Sequence, residues 1–220
     1  MADLSPLATA ILTRSEQGVQ LAISRCPNAV LERTVWGTVL HLSSRWATGL
    51  RILLKAGARG LLSSSVLGLA IAYKSLAAVQ VLLENDYPWH GFDRPDYGTL
   101  RARPPHDIVV AIAEAITLRR QRLVILARDM LPTHDLLRLG LLDELLPDAE
   151  AIYLVRALRD AGVAVPAALD VPDDFEGVYH SGNLDLNEIP VFHAAGFHDL
   201  CRPNSLGLSP VMSAAIFAFE

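Results

Sequence analysis

Three potential metal ligands lie close together near the end of the chain, at His193, His198 and Cys201. Imidazole and thiolate groups are both common zinc ligands, so the H-x4-H-x2-C spacing raises the hypothesis of a metal site. A structural zinc site needs four ligands, however, and no fourth candidate lies nearby in the sequence. We therefore predict no metal here and keep a His/Cys metalloprotein as an alternative.

The dipeptide His-Asp occurs three times, beginning at His106, His134 and His198. Paired His and Asp residues bind metal ions and activate water in metal-dependent hydrolases, which gives the alternative an enzymatic form. The first two pairs each precede a predicted helix, where an aspartate serves as a cap or as a first-turn anion. The sequence also contains no glycine-rich phosphate loop, G-x-S-x-G motif or H-E-x-x-H motif. We therefore predict that the protein is not an enzyme and has no cofactor.

The composition favours packed helices and limits the classes of partner. The 220 residues are 51% hydrophobic but only 6% aromatic, and sheets are enriched in aromatic and β-branched residues. A formal charge of −5 argues against a nucleic-acid or anionic-membrane partner. Charged residues also interrupt every apolar run before it reaches the length of about 20 residues that a membrane span needs.

Two further features bear on the compartment. Cys26 and Cys201 are too few for a disulfide framework. The N-terminus lacks the basic region and the long apolar core of a signal peptide. We therefore expect a cytoplasmic protein, and the sequence leaves a nuclear location open.

Three segments of similar pattern each begin with a hydroxyl residue, at Ser5, Thr38 and Ser65. Their sequences are SPLATA, TVLHLS and SVLGLA, and a second apolar segment follows the last two, as LRILLKAGA and VQVLLENDY. Apolar residues at three- and four-residue spacing predict helices, so each unit is predicted to be a helix, a tight link, a second helix and a loop.

Several residues are suited to the ends of these helices. Thr38 is a predicted N-cap, because its hydroxyl can accept a hydrogen bond from a first-turn N–H group. Pro6 suits the first position of a helix. Gly57 suits the left-handed conformation that ends a helix, and Asp86 is predicted to take the same role in the next unit.

The segment that begins at Thr38 resembles the ankyrin repeat, whose signature T-P-L-H-x-A recurs about every 33 residues. Leu40 and His41 match that signature, while Val39 replaces its proline. The segments RRQRLVILARDMLP and VYHSGNLDLNEIPVFHAAGFHDLCRPNSLGLSP are similar to arrangements in ankyrin proteins common in filamentous fungi. The resemblance implies an all-α, ankyrin-type α-solenoid of helix–loop–helix repeats with an irregular helical insert. It also implies that His41 is structural and hydrogen-bonds nearby backbone.

The predicted organisation has three parts: residues 1–95 with ankyrin-like repeats, 96–170 with the irregular helical segment, and 171–220 with a further repeat and the start of another. The helices predicted after the first part are Asp107–Thr117, Arg119–Met130, His134–Leu146, Asp148–Ala161 and Asn187–Ala195. The RRQRL run and the acidic connector around Asp170 are interpreted as solvated. Gly196 is predicted to end a helix and Ser209 to begin one. Because apolar residues near Glu220 would be uncovered, we expect a longer polypeptide, or self-association or a further repeat at that end.

A partner-binding face follows from counting along the repeats. The position eight residues after each Ser or Thr start holds Thr13, Trp46 and Tyr73, and Arg45 precedes one of them. Trp, Tyr and Arg dominate binding hot spots, and Trp36 lies at a predicted hairpin. The predicted concave binding face is therefore Trp36, Arg45, Trp46 and Tyr73, with packing of Trp46 in a groove between repeats as the alternative.

These observations predict a non-enzymatic module or scaffold that binds a protein partner. The alternatives are the His/Cys or His-Asp metalloprotein and a structural spacer within a larger multidomain protein.

Overall fold

The computed structural model describes residues 4–34, 37–58, 65–86, 104–138, 148–171, 173, 175, 177–180 and 188–212. The chain is mostly helical, as predicted, and the described residues contain one two-stranded sheet. The helices are α1 (Pro6–Leu12), α2 (Glu16–Arg25), α3 (Val39–Leu42), α4 (Ala47–Lys55), α5 (Ser65–Ala72), α6 (Leu76–Glu84), α7 (His106–Met130), α8 (Thr133–Arg138), α9 (Asp148–Asp160) and α10 (Ile189–Ala194). The strands are β1 (Arg33–Thr34) and β2 (Gly37–Thr38), and short 3₁₀ helices cover Pro27–Leu31 and Val178–His180.

The chain divides into two compact units, Met1–Pro104 and Pro105–Glu220. The predicted boundary between residues 95 and 96 falls outside the described residues. The second predicted boundary, between residues 170 and 171, lies inside the second unit, where α10 packs against α7.

The described residues of the first unit form three helical hairpins, α1–α2, α3–α4 and α5–α6. The first helices pack in the row α1, α3, α5, and the second helices pack in the row α2, α4, α6. Apolar side chains between the helices are fully buried, including Leu7, Leu40, Leu53 and Leu82. Burying one such side chain contributes about 1.5–3 kcal/mol relative to leaving it exposed, so each hairpin is stabilised by its neighbours.

The predicted capping residues of the first unit are confirmed. Ser5 accepts a hydrogen bond from the Ala8 amide over 3.1 Å, and Pro6 occupies the first turn of α1. Gly57 has a φ of +86° after α4, and Asp86 has a φ of +55° after α6. Local hydrogen-bonding chemistry therefore sets these helix ends.

The sheet is a short antiparallel ladder before α3. Arg33 lies opposite Thr38 and Thr34 lies opposite Gly37, and the Thr34 hydroxyl donates to the Gly37 carbonyl over 3.0 Å. Gly37 has a φ of +108°, and a Cβ atom on it would lie 2.8 Å from Cγ of His41. Glycine is required here both for the backbone conformation and for the space that the imidazole occupies.

In the second unit, α7 is one continuous helix of 25 residues, so the prediction of two helices that separate near Leu118 is wrong. No proline or glycine interrupts this segment. The interpretation of RRQRL as a solvated face is also wrong for its first two residues, because Arg119 and Arg120 are each only 5% exposed. Charged residues are rarely buried to this extent, and the sequence pattern gave no sign of it.

The segments around α9 fit the predictions in part. α9 is confirmed at Asp148–Asp160, and Gly162 follows it with a φ of +75°. α8 is described only as far as Arg138, and the rest of its predicted span lies outside the described residues.

The connector after α9 differs from the predicted solvated linker. Leu169 and Phe175 are buried, while Asp170 pairs with Arg159 at 2.6 Å and Asp173 pairs with Arg156 at 2.7 Å. The connector is therefore partly buried, and two ion pairs join it to α9.

Two further predicted positions at helix termini are confirmed, one after a helix and one before a helix. Gly196 has a φ of +99° after α10. The Ser209 hydroxyl accepts a hydrogen bond from the Met212 amide over 3.3 Å at the start of a helical turn at 210–212.

Candidate partner-binding surface

Each hairpin of the first unit has a link between its two helices, and the first and third links are built alike. The Ser15 amide donates to the Ala10 carbonyl, and the Ser75 amide donates to the Ala70 carbonyl, both over 2.9 Å. Ser15 and Ser75 are the N-caps of α2 and α6. Their backbone geometry therefore identifies equivalent positions in the two hairpins.

In the second hairpin the first helix is shorter, and the link that follows it is one residue longer than the other two links. α3 has four residues, whereas α1 has seven and α5 has eight. The N-cap of α4 is Trp46, so Trp46 is the equivalent of the serine N-caps and not of Tyr73. Counting eight residues from each repeat start therefore does not identify equivalent positions, and the predicted equivalence of Trp46 and Tyr73 is wrong.

The residue that precedes the N-cap of the second helix is basic in all three hairpins. These residues are Arg14, Arg45 and Lys74, and all are exposed. Within the described part of the chain, none of the three forms an ion pair. We call the segments that carry them, Thr13–Ser15, Ser43–Trp46 and Tyr73–Ser75, the link edge.

Two of the predicted binding residues lie against each other on the link edge. The guanidinium carbon of Arg45 lies 4.7 Å from the centroid of the Tyr73 ring, and Tyr73 is 47% exposed. This is a cation–π contact, which contributes about 0.5–1 kcal/mol at exposed sites. The contact joins the second link to the third and holds both side chains in a defined arrangement.

Trp46 packs against its own helix. A Cβ atom on Gly49 would lie 2.1 Å from Cε3 of Trp46, so the indole ring occupies the space that a side chain at position 49 would need. The ring is partly buried and packs on its own helix, which differs from the predicted alternative of packing in a groove between repeats. Trp36 lies outside the described residues.

His41 takes the structural role that was expected of it. Thr38 and His41 form a capping box at the start of α3, and the Thr38 amide donates to Nδ1 of His41 over 3.1 Å. Nδ1 accepts this hydrogen bond, so the proton of the neutral ring is assigned to Nε2. Burial lowers the pKa of His41 below its ordinary value, which also favours the neutral ring.

The other histidine cluster brings two of its three members together. The rings of His193, at the end of α10, and His198 lie in edge-to-face contact with centroids 4.4 Å apart, while Cys201 is an exposed free thiol. Among the described residues, no three His, Cys, Asp or Glu side chains are arranged to hold a metal ion. A pair of imidazoles offers two ligands, fewer than the three protein ligands of catalytic zinc sites.

The first His-Asp pair lies at a helix start, as expected. The Asp107 carboxylate accepts a hydrogen bond from the Ile108 amide over 2.9 Å in the first turn of α7. In the third pair, Asp199 lies close enough to Glu150 to affect its ionisation. Burial raises the pKa of Glu150, and the negative charge of Asp199 raises it further. Neither interaction requires a bound ligand.

Arg14 and Lys74 were not among the binding residues predicted from the sequence. The signal that could have found them is the basic residue directly before each second-helix N-cap, in the tripeptides TRS, SRW and YKS. This signal appears only when the links are aligned on the second helix instead of the first.

No family model, no curated protein and no solved structure matches the chain. The ankyrin assignment therefore stays a prediction from the residues. None of the helices in the described ranges combines the length and the apolar character needed to cross a membrane.

Proposed function

We propose that the chain is a non-enzymatic binding module of the ankyrin type, which recognises a protein partner through an exposed face of its stacked hairpins. The observation that carries the proposal is the contact between Arg45 and Tyr73. These are exposed side chains from consecutive hairpins, and they belong to the residue types that dominate binding hot spots.

A row of hairpins suits this function because each hairpin packs on its neighbours. Residues at equivalent positions then form one continuous surface, which can vary in sequence without disturbing the core. The cation–π contact also restrains Arg45 before a partner arrives. Restraining a flexible side chain in advance reduces the entropy lost on binding.

The test is to pan a display library of protein fragments against the immobilised full-length chain, and to measure the affinity of enriched fragments for variants. We expect Arg45→Ala with Tyr73→Ala to weaken binding by about tenfold or more, as hot-spot truncations do. The matched control is Arg51→Ala with Leu21→Ala, which removes an exposed arginine and a 51% exposed apolar side chain from the second helices.

The outcomes separate the hypotheses. Equal affinity of wild type and the Arg45/Tyr73 variant, with unchanged circular dichroism, would rule out this surface. Failure to enrich any fragment would favour the structural spacer over the binding module.

A metalloprotein is the second candidate, and the His193–His198 contact is the one observation in its favour. Elemental analysis of the purified chain tests it directly. One equivalent of zinc that is lost in a variant carrying His193→Ala and His198→Ala would support a metalloprotein.

A further inference from the structure

The link edge presents one cation for each hairpin. Arg14, Arg45 and Lys74 precede the N-caps of α2, α4 and α6, and their side chains are exposed. Because the first helices pack in one row and the second helices in another, the three links follow one another along the first unit. The contact of Arg45 with Tyr73 shows directly that two of the links are neighbours.

Two of these cations occupy positions where a glycine would be more favourable. Arg14 has a φ of +52° and Lys74 has a φ of +54°, in the left-handed region that side chains with a Cβ atom disfavour. The conformation itself ends a helix, as it does at Gly57 and Asp86, so the informative feature is that a basic residue occupies it. A basic residue occupies this left-handed position in two hairpins, although glycine occupies the left-handed position that follows a helix at Gly57 and Gly162.

The charge of the first unit agrees with this feature. Residues 1–104 include 11 Lys and Arg against 7 Asp and Glu, whereas residues 105–220 include 8 against 17. The first unit is therefore basic within a chain of net negative charge. Complementary charge steers association and excludes partners of like charge.

Helix dipoles explain part of the pattern, since cations are favourable near helix C-termini. They do not explain all of it. α3 has only four residues, so its dipole is small, yet its link carries Arg45. A dipole would also be satisfied by a cation in the last turn of the helix, where no left-handed conformation is needed.

We propose that the partner segment bound by this protein is an extended acidic peptide, whose carboxylates pair with Arg14, Arg45 and Lys74 along the link edge. This inference rests on the proposed binding function. Packed helices lie about 8–10 Å apart, and an extended chain rises about 3.3 Å per residue. The acidic residues of the partner are therefore spaced every third position, and apolar residues between them contact Tyr73 and Leu12, which are 47% and 50% exposed.

A nucleic acid fits this surface less well. Nucleic-acid-binding domains carry a strongly basic stripe, whereas this unit has one exposed cation per hairpin link and belongs to an acidic chain. An acidic peptide needs only a few carboxylates at the right spacing. The peptide is therefore the occupant that the spacing and the charge favour.

The test uses the full-length chain and a fluorescein-labelled peptide of four Glu-Leu-Ser triplets, with fluorescence anisotropy as the measurement. Arg14→Gln, Arg45→Gln and Lys74→Gln together are expected to weaken binding by about tenfold, the combined effect of three exposed ion pairs. The matched control replaces Arg25, Arg51 and Lys55 of the second helices, which are also exposed, with Gln. It removes the same charge and is expected to change the affinity by less than about twofold.

Two further measurements complete the test. Raising NaCl from about 50 to about 200 mM is expected to weaken binding, because exposed ion pairs are screened. A peptide with Gln in place of Glu is expected to bind at least about tenfold more weakly than the Glu peptide.

Three outcomes would overturn the inference: equal binding of the Glu and Gln peptides, equal losses in the link-edge and control variants, or tighter binding of a single-stranded oligonucleotide than of the Glu peptide. If the display library still enriches fragments that lack acidic residues and depend on Arg45 and Tyr73, the proposed function stands and only the acidic partner is wrong. If the library enriches nothing and the Glu peptide does not bind, both proposals fail.

Discussion

The two units of the chain use their basic residues in opposite ways. In the first unit, Arg14, Arg45 and Lys74 are exposed on the hairpin links. In the second unit, Arg119 and Arg120 are buried within α7, and two arginines of α9 pair with acidic residues of the following connector. These four arginines of the second unit are thus buried or paired within that unit, while the cations on the link edge are accessible to an outside partner.

The same contrast appears in the helices. The first unit is built from short helices in repeated hairpins, and each hairpin gains its stability from its neighbours. The second unit is organised by α7, which contacts α8, α9 and α10. In a row of hairpins, each surface position recurs once per hairpin. A unit organised around one long helix has no such recurring position. This difference is why the binding surface is assigned to the first unit.

The largest effect is expected from removing a core side chain in either unit. Leu53 of α4 and Leu158 of α9 are both fully buried. Leu53→Ala and Leu158→Ala are each expected to lower the free energy of unfolding by about 2–5 kcal/mol, through lost burial and the cavity left behind. Urea denaturation followed by circular dichroism measures this, with Leu12→Ala at a half-exposed site as the control. A loss below about 1 kcal/mol for Leu53→Ala would contradict the burial of α4 between its neighbours.

The next effect concerns Trp46 and distinguishes packing from partner binding. Gly49→Ala is expected to destabilise the protein by about 1–3 kcal/mol, because its Cβ atom would overlap the indole ring. In a Trp46→Ala background the same substitution is expected to stabilise α4, since alanine is the better helix former. Denaturation of the four proteins gives the coupling between the two positions. Additive effects would show that the ring does not lie on Gly49.

The predictable part of the fold was the part governed by neighbouring residues. The N-caps at Ser5 and Thr38 and the left-handed positions at Gly57 and Asp86 follow from the hydrogen-bonding capacity or φ preference of single residues. Those features were placed correctly because no distant contact is needed to produce them.

The parts that were missed depend on distant contacts or on helix length. The burial of Arg119 and Arg120 in the continuous helix α7 was missed, because charged side chains are rarely buried to this extent. The binding face was misaligned because α3 is short, and the packing of Trp46 on Gly49 became visible only in three dimensions. Arg45 and Tyr73 were predicted to belong to the binding face, but their direct contact was not predicted.

The contributions of His41 and Glu150 to the pH dependence of stability are expected to have opposite signs. Burial lowers the pKa of His41. As the pH falls through about 6.5, His41 therefore binds a proton more readily in the unfolded chain than in the folded one, and the first unit loses stability. The pKa of Glu150 is raised by burial and by Asp199. The unfolded chain therefore releases the Glu150 proton first, and the second unit loses stability as the pH rises above about 4.5.

Two substitutions test these signs by denaturation at several pH values. His41→Gln keeps a capping-box residue at this position and is expected to flatten the loss on the acid side of pH 6.5. Glu150→Gln is expected to remove the loss that accompanies rising pH. An unchanged acid-side slope in His41→Gln would show that this histidine is not the group responsible.

The smallest effect concerns the strained links. Arg14→Gly and Lys74→Gly are each expected to stabilise the protein by about 0.5 kcal/mol. Glycine removes the cost of the left-handed conformation, and the greater conformational entropy of the unfolded chain offsets part of that gain. Arg51→Gly within α4 is expected to destabilise by about 1 kcal/mol. Losses of equal size at all three positions would contradict the strain argument. The link variants are also expected to bind the Glu-Leu-Ser peptide more weakly while folding more stably.

Hydrogen exchange of the full-length chain, with and without the Glu-Leu-Ser peptide, tests the binding surface most directly. The account predicts slower exchange at Thr13–Ser15, Ser43–Trp46 and Tyr73–Ser75 when the peptide is present, and no such change in the link-edge Gln variant. Protection confined to residues 105–212, or none at any of the three links, would contradict it.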